Sequence, residues 1–413
     1  MSWAVSIALA AACAYFGIGH MFSSYAANAY MDEIFHYPQT KRFCEGMWYD
    51  WDPKITTFPG IYVIGVIFAR GVDNVLSFQN YVQSSFCSLN VLRSLNIVFG
   101  AGNVYLILIL RSMNEYSPSE IMNSSLHGVM IALFPFNFFF NFLYYTDTGS
   151  LFFVLLMYYT SQVGRSGRLR HGVMTSSNIL SVICGYIAVS IRQTNIIWVL
   201  FVMGTEIVHD METTHFSTIY GSEVESARRF HNVLFSFVLI LVKNTRRIVF
   251  NFWPHMTVLQ LFGMFLIFNG SITVGMHKYI LRDKSNHAST FHFSQILYFI
   301  SASATGLGIS CISYNNLINF SRAIRQFNQS RCGVFMFILF FGAFVVCIHF
   351  FSPVHQFLLA DNRHYTFYIW HRFFLKHSMM KLIPAPAYVY LAWLMWNEMS
   401  TTEFVTSEPE VNT

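Results

Sequence analysis

Charge is the scarcest commodity in this chain: of 413 residues, 11% are Asp, Glu, Lys or Arg and 54% are apolar. A soluble domain carries roughly a quarter charged residues, so most of these side chains must face lipid or one another. That excludes a soluble globular fold and requires a polytopic membrane protein. The net charge of +5 is small and dispersed, without the basic stripe of a nucleic-acid binder, and no nucleic acid is expected as a partner. The cysteines are seven, an odd number, widely spaced (Cys13, Cys44, Cys87, Cys184, Cys311, Cys332, Cys347), with no CxxC or Cys/His pairing. A metal centre or disulfide framework is therefore not expected, and most of them sit in apolar runs where cysteine acts as a small hydrophobe. Only Cys44 and Cys87 stand where both could face one aqueous compartment. The chain also lacks a P-loop, GxGxxG, HExxH and GxSxG, which disfavours nucleotide chemistry and serine hydrolysis. No segment is long or polar enough to fold as a soluble nucleotide-sugar domain.

What the chain has instead is aromatic and apolar length. Forty-four Phe and 22 Tyr suit helices that pack in lipid and anchor at its interfaces. The run Trp3 to Phe22 is long enough to span a bilayer, which takes about 20 residues. No charge precedes it to make a signal-peptide n-region, so it is expected to remain as the first helix. Further spans are legible at Val91 to Leu110, Leu126 to Tyr144, Ser150 to Gln162, Val173 to Ser190, Ile196 to Val208, His255 to Gly275, Phe293 to Cys311, Val334 to Phe351, Tyr365 to Phe374 and Pro386 to Trp396. The expected fold is all-α: a membrane helix bundle of about 11 spans, one multi-spanning domain over residues 1–397 with a polar tail at 398–413. Lys and Arg in short loops mark the cytoplasmic side. Arg165, Arg168 and Arg170 form one such loop, and Arg322, Arg325 and Arg331 the other. Counting spans between them keeps parity when residues 232–253 lie along the interface without crossing. Residues 31–59, 146–147, 192–195, 276–292 and 361–363 then share the opposite side.

The chemistry-bearing residues fall in those segments. The first loop, residues 28–60, holds MDEIFHYPQTKRFCEGMWYDWDPKITTFPG with Asp32, Glu33, His36, Glu45, Asp50 and Asp52. Acids interleaved with Trp, Tyr and Phe read as an amphipathic loop lying on the membrane surface. Neighbouring carboxylates at the mouth of a bundle can supply a general base, while the plainer reading of Asp32 and Glu33 is helix capping. Glu33 and His36 lie three apart on one helical face, yet one such pair has too few ligands for a metal, and no metal is expected. Asp147 in NFLYYTDTGSLF either caps the following helix or hydrogen-bonds a sugar hydroxyl. Arg192 in SIRQTNIIW is a cation between two apolar helices, kept for a partner or snorkelling to the interface. In LLADNRHYTFYIWHR, Asp361, Asn362, Arg363 and His364 cluster at a membrane edge. Arg363 and His364 suit an anionic phosphate, with an Asp361–Arg363 surface pair as the alternative.

Taken together, MDEIFHYPQ, WDPKITTFPGIY, FFFNFLYYTDTGSLFF, RQTNIIW and LLADNRHYTFYIWHR closely resemble the dolichyl-phosphate-glucose alpha-1,2-glucosyltransferases of the endoplasmic reticulum, over about residues 30–390. These are multi-spanning glycosyltransferases of the C type. The resemblance implies a luminal acidic loop, a donor (dolichyl phosphate glucose) that enters laterally from the lipid bilayer, a diglucosylated dolichol-linked oligosaccharide as acceptor, and no metal or other cofactor. It implies that Asp32 is the general base and Glu33 its orienting neighbour or the second candidate. Arg363 and His364, with Arg192, would stabilise the departing phosphate, and His36, Asp147 and Asp361 would contact sugar. The sequence departs from the family pattern in the extra residues of MHKYILRDKSNHAS, which include Asp283 and His287, and in ending on SEPEVNT where the family continues with further helices. Two other classes are open to such a chain: a transporter or flippase, for which internal repeats and charges at broken helices would speak, and a non-enzymatic membrane partner such as an ion-channel modulator. No convincing repeat is present, and the acids cluster at helix ends.

Overall fold

The computed structural model describes residues 2–78, 86–113, 128–171, 175–220, 230–274, 294–307, 313–327, 331–351 and 365–405. All regular elements among them are helical, as the composition requires of a chain that must satisfy its backbone inside lipid. The chain divides into two compact units, residues 1–279 and 280–413.

The first unit opens with α1 (Ser2–Tyr25), then α2 (Glu33–Cys44), α3 (Gly60–Phe78) and α4 (Leu89–Ser112). A broken stretch follows, in which a helical turn at residues 128–132 stops before Pro135 and restarts as α5 (Pro135–Phe140). Proline has no N–H to donate and clashes with the preceding turn, which is why the expected span at residues 126–144 is not one continuous helix. Then come α6 (Thr146–His171), α7 (Ser176–Ile191), a 3-10 turn (Gln193–Asn195), α8 (Ile196–Tyr220), α9 (Phe230–Lys243) and α10 (Thr245–Asn269). α1 packs along α4, α4 against α6, α6 against α7, and α8 against α10. Three helices among the described residues, Trp3–Tyr25, Leu89–Ser112 and Thr245–Asn269, are long and apolar enough to cross a membrane. At ~1.5 Å per residue each is about 36 Å long. An all-helical bundle with several apolar helices is what a membrane domain needs.

The two ends of this unit differ in chemistry. One end holds ion pairs that fasten the C-terminal part of α8: Arg165 to Glu206 at 2.7 Å and Arg247 to Asp210 at 2.8 Å. The segment expected to lie along the interface splits at Asn244. α9 packs through Phe237, Ile240 and Leu241 on Ile207 and Met211 of α8, while residues 245–253 form the start of α10. The other end gathers the first loop, residues 141–147, residues 192–195 and the stretch after α10, where Val274 N–H donates to Thr56 O and Gln193 Nε2 donates to the same carbonyl at 2.7 Å. α3 docks here by its first residue. A Cβ on Gly60 would lie 2.4 Å from the Ser190 carbonyl oxygen at the end of α7, so only glycine permits that approach.

Cys44 and Cys87 are joined in a disulfide, with Cα atoms 6.5 Å apart. This corrects the expectation that no disulfide is built. Cys44 precedes α3 and Cys87 follows it, so the bond ties the chain before α3 to the chain after it. The surface loop expected over residues 28–60 thus reaches through α3 to Ser88, and Phe43, Ile55, Tyr62, Val66 and Ala69 pack around the bridge as one core. The separation of 43 residues corresponds to about 4 kcal/mol in the chain-entropy account of cross-linking. The Cys44→Ser/Cys87→Ser chain is expected to show a markedly lower thermal midpoint in detergent. In the native chain neither thiol should take up a maleimide until the protein is reduced, and labelling at Cys44 without reductant would remove the bridge.

The second unit contains α11 (Ser294–Leu307), α12 (Tyr314–Phe327), α13 (Arg331–Phe350) and α15 (Ala385–Val405), of which α11, α13 and α15 supply a core of Leu297, Ile300, Ile348 and Ala385. Between them, α14 (Tyr365–Ile369) runs into a π turn at Trp370–Phe374 and a 3-10 turn at Ser378–Leu382. In the span expected at residues 365–374, regular α conformation therefore ends after five residues and a π turn continues it. Phe320 of α12 packs on Tyr390 and Trp393 of α15, with ring centroids 5.1 and 5.3 Å apart.

Candidate active site

The site lies at the loop-rich end of the first unit, where two adjacent carboxylates have opposite fates. Asp32 is exposed and Glu33 is fully buried. Met31, just before them, is in the left-handed region at φ +52°, the only non-glycine there among the described residues. Such backbone persists where its surroundings over-determine it, and collects at functional sites. What holds it is Arg93, on the first turns of α4. Its Nε donates to Glu33 Oε1 at 2.9 Å and its Nη2 to Oε2 at 2.6 Å. Its remaining donors reach the carbonyls of Ala26 at 2.6 Å and Asn28 at 3.1 Å, and its guanidinium lies over the Phe22 ring. Glu33 also accepts from Tyr30 N–H at 2.9 Å and Tyr144 N–H at 2.6 Å. Four of the five guanidinium N–H donors and both carboxylate oxygens are thus used, the condition under which a buried charge pair is tolerated. The pair ties the end of α1, the start of α2, α4 and the loop before α6 to one point.

Sequence reasoning missed Arg93. Its signal was legible, a single cation in the apolar run LNVLRSLNIVFG, since an ionisable residue in such a run is retained for a partner.

Asp32 Oδ2 accepts a hydrogen bond from the Tyr145 hydroxyl. Burial and then Asp32 itself push the Tyr145 pKa well above its ordinary value, so the phenol keeps its proton and donates. Tyr145 is placed by Asn96, whose Nδ2 donates to Leu143 O at 2.5 Å and Tyr145 O at 2.9 Å. Asp147, two residues on in the first turn of α6, pairs with Arg192, both side chains being about a third exposed. Asn195, just after Arg192, donates to Ser150 Oγ and Ala188 O at 2.7 Å each, which fixes the α7–α8 corner against α6. Asp32, Glu33, Asp147 and Arg192, scattered over some 160 positions of sequence, therefore meet on one face.

His36 is buried, its Nδ1 2.7 Å from the Tyr62 hydroxyl and its ring edge-on to Tyr145 at 5.2 Å. The sequence reading expects it to contact sugar; in the fold it packs against Tyr145 and Tyr62. Asp361, Arg363 and His364 lie outside the described residues, as do Asp283 and His287. No group of three or more His, Cys, Asp or Glu that could hold a metal occurs among the described residues.

Burial depresses the His36 pKa below 6.5, partly offset by Asp32 and Asp147. The native state therefore favours the neutral ring, and the unfolded chain binds the extra proton first. Stability from this group is complete above pH 6.5, falls as pH drops through that value, and levels off once pH is below the lowered native pKa. A His36→Gln chain is expected to show a weaker fall in thermal midpoint between about pH 7 and 5 than the native one; equal slopes would exclude His36 as the titrating group.

Helices of membrane-crossing length, with acids, a cation and aromatic hydroxyls collected at one end, define an integral membrane protein whose polar chemistry sits at a membrane surface. A family model described as the DIE2/ALG10 family matches residues 26–408, and the chain belongs to that family. A mouse (Mus musculus) protein named Dol-P-Glc:Glc(2)Man(9)GlcNAc(2)-PP-Dol alpha-1,2-glucosyltransferase is 32% identical over 90% of this chain and 75% of its own length. Rat (Rattus norvegicus) and Arabidopsis thaliana proteins of the same name are 33% and 31% identical, over 92% and 87% of this chain and 77% and 75% of theirs. No solved structure matches the chain.

Proposed function

We propose that this chain moves glucose from dolichyl phosphate glucose to the diglucosylated dolichol-linked oligosaccharide, forming the terminal alpha-1,2 linkage of the N-glycan precursor. The relatives carry that reaction in their name over nine-tenths of the chain, and the transporter and modulator readings are not favoured. The observation that carries the chemistry is the division of labour between Asp32, exposed and free to act, and Glu33, sealed in its pair with Arg93. Asp32 accepts the proton of the 2-hydroxyl on the acceptor's terminal glucose. That oxygen bonds to the anomeric carbon of the β-linked donor glucose as the bond from that carbon to the phosphate oxygen breaks, giving the α product and free dolichyl phosphate. The leaving phosphate takes the bonding electrons and needs its charge met rather than an acid. Arg192, held by Asp147, serves that role, with Arg363 and His364 as further cations. Tyr145 orients Asp32. No metal or other cofactor takes part.

The bundle is read as about 11 spans in the endoplasmic reticulum membrane, with this site in the lumen. The Cys44–Cys87 bridge supports that side, because disulfides persist in oxidising compartments and not in cytosol.

Reconstitution in lipid with dolichyl phosphate glucose and the diglucosylated acceptor is expected to yield triglucosylated product, and nucleotide-linked glucose none. Transfer from the nucleotide donor would reject the donor assignment.

A further inference from the structure

Beside Asp147, α4, the broken segment and α6 enclose a cavity of about 240 Å³, lined by Asn103, Asn137, Asn141, Asp147 and Thr148 among apolar walls. We propose that it seats a single hexopyranose ring carried by one of the two substrates, and that Asn103, Asn137, Asn141 and Thr148 recognise its hydroxyls. The inference rests on the glycosyltransferase reading and adds a subsite to it.

Asp147 is met by Arg192, but three amides and a hydroxyl on one cavity are costly in an apolar bundle unless a ligand meets them. Their hydrogen bonds are incomplete. Asn103 Nδ2 donates to Thr148 O at 3.2 Å, while Asn103 Oδ1 and Thr148 Oγ1, both buried, have no partner. Asn141 is 4% exposed, and its amide lies against Gly100, where a Cβ would come within 2.6 to 2.9 Å of the side chain. Glycine there leaves room for the amide at the cavity wall. The broken helix is the second sign. Ala132, Asn137, Phe140 and Asn141 on either side of the Pro135 break all line the cavity. Irregular backbone at membrane depth is tolerated where it lines a cavity or is buried in protein.

Size sets the class of ligand. The cavity far exceeds the ~10–15 Å³ that one water needs and falls below the ~300–1,000 Å³ of drug-sized pockets, the range of one sugar ring and not of an oligosaccharide. Donor–acceptor amides and a hydroxyl match a ring bearing hydroxyls. Among the described residues that line the cavity there is no Lys, Arg or His to hold a phosphate. The ring is either the glucose of the donor or the terminal glucose of the acceptor.

Two measurements test this. Thr148→Val and Asn103→Leu remove polar atoms with little change of volume, and each is expected to raise the KM for one substrate about tenfold while kcat changes less. The substrate affected, donor or acceptor, identifies the source of the ring. Separately, Thr148→Cys and Asn137→Cys in detergent are labelled with a small methanethiosulfonate. Labelling should slow several-fold with a short-chain lipid phosphate glucose or with the diglucosylated acceptor, but not with the sugarless lipid phosphate. This readout needs no turnover, so a chain that transfers no glucose would count against the proposed function alone. Unchanged KM for both substrates, or labelling equally fast with and without sugar, would leave a water-filled void and overturn the subsite.

Discussion

Replacing Asp32 by asparagine is expected to lower glucose transfer by about 10²–10⁴-fold, the range that a positioned general base contributes, while the chain still folds. The expectation of normal folding comes from exposure: among the described residues the Asp32 carboxylate accepts one hydrogen bond, from Tyr145, and an asparagine oxygen accepts the same bond. The side chain adds no cap bond to α2, so the capping role weighed from the sequence contributes little that the substitution could remove. Membranes carrying only the variant should accumulate lipid-linked oligosaccharide lacking its terminal glucose, with KM for both substrates close to native, because the lost interaction belongs to the transition state. Normal triglucosylated product would take Asp32 out of the mechanism. Tyr145→Phe provides the graded companion. Losing one orienting bond should slow transfer by tenfold or so without approaching the loss at Asp32.

Much of this was legible in the sequence, and unevenly. The membrane class followed from charge scarcity alone. The shared side of residues 31–59, 146–147 and 192–195 followed from counting spans between Arg-bearing loops, and the contacts of Asp32, Asp147 and Arg192 at one end of the first unit agree with it. The resemblance ranked Asp32 ahead of Glu33, but the residues alone did not separate them. Two adjacent acids look alike in a string, and what separates them is the direction of a helical turn relative to Arg93, sixty residues away. Cys44 and Cys87 were legible as the one pair able to share a compartment, but not as a bond. Nothing local in either cysteine's surroundings announces that the two meet. The broken helix was foreshadowed by Pro135, but its cavity depends on which side chains the break turns inward, a tertiary property.

Glu33 and Arg93 give the second large effect, and it runs through folding. Arg93→Met is expected to destabilise the protein by about 3–5 kcal/mol, the cost of leaving a buried charge without its partner, since Glu33 is fully buried and Arg93 nearly so. Glu33→Gln should cost a similar amount. It keeps the shape but leaves the guanidinium facing a neutral amide, and turns one acceptor toward Tyr144 N–H or Tyr30 N–H into a donor. The double variant Glu33→Leu/Arg93→Met is expected to be more stable than either single variant, because an apolar pair leaves no orphan charge. It would still lose activity, since the carbonyls of Ala26 and Asn28 lose the donors that hold the chain entering Asp32. Thermal midpoints in detergent, together with transfer rates measured well below them, separate the two effects. If Glu33→Gln folded with native stability and lost transfer as completely as Asp32→Asn, the base would be Glu33 and the buried pair would have to open during turnover. If the double variant were the least stable of the three, the clamp would be stabilising through its four backbone contacts and not through the neutralisation of two charges.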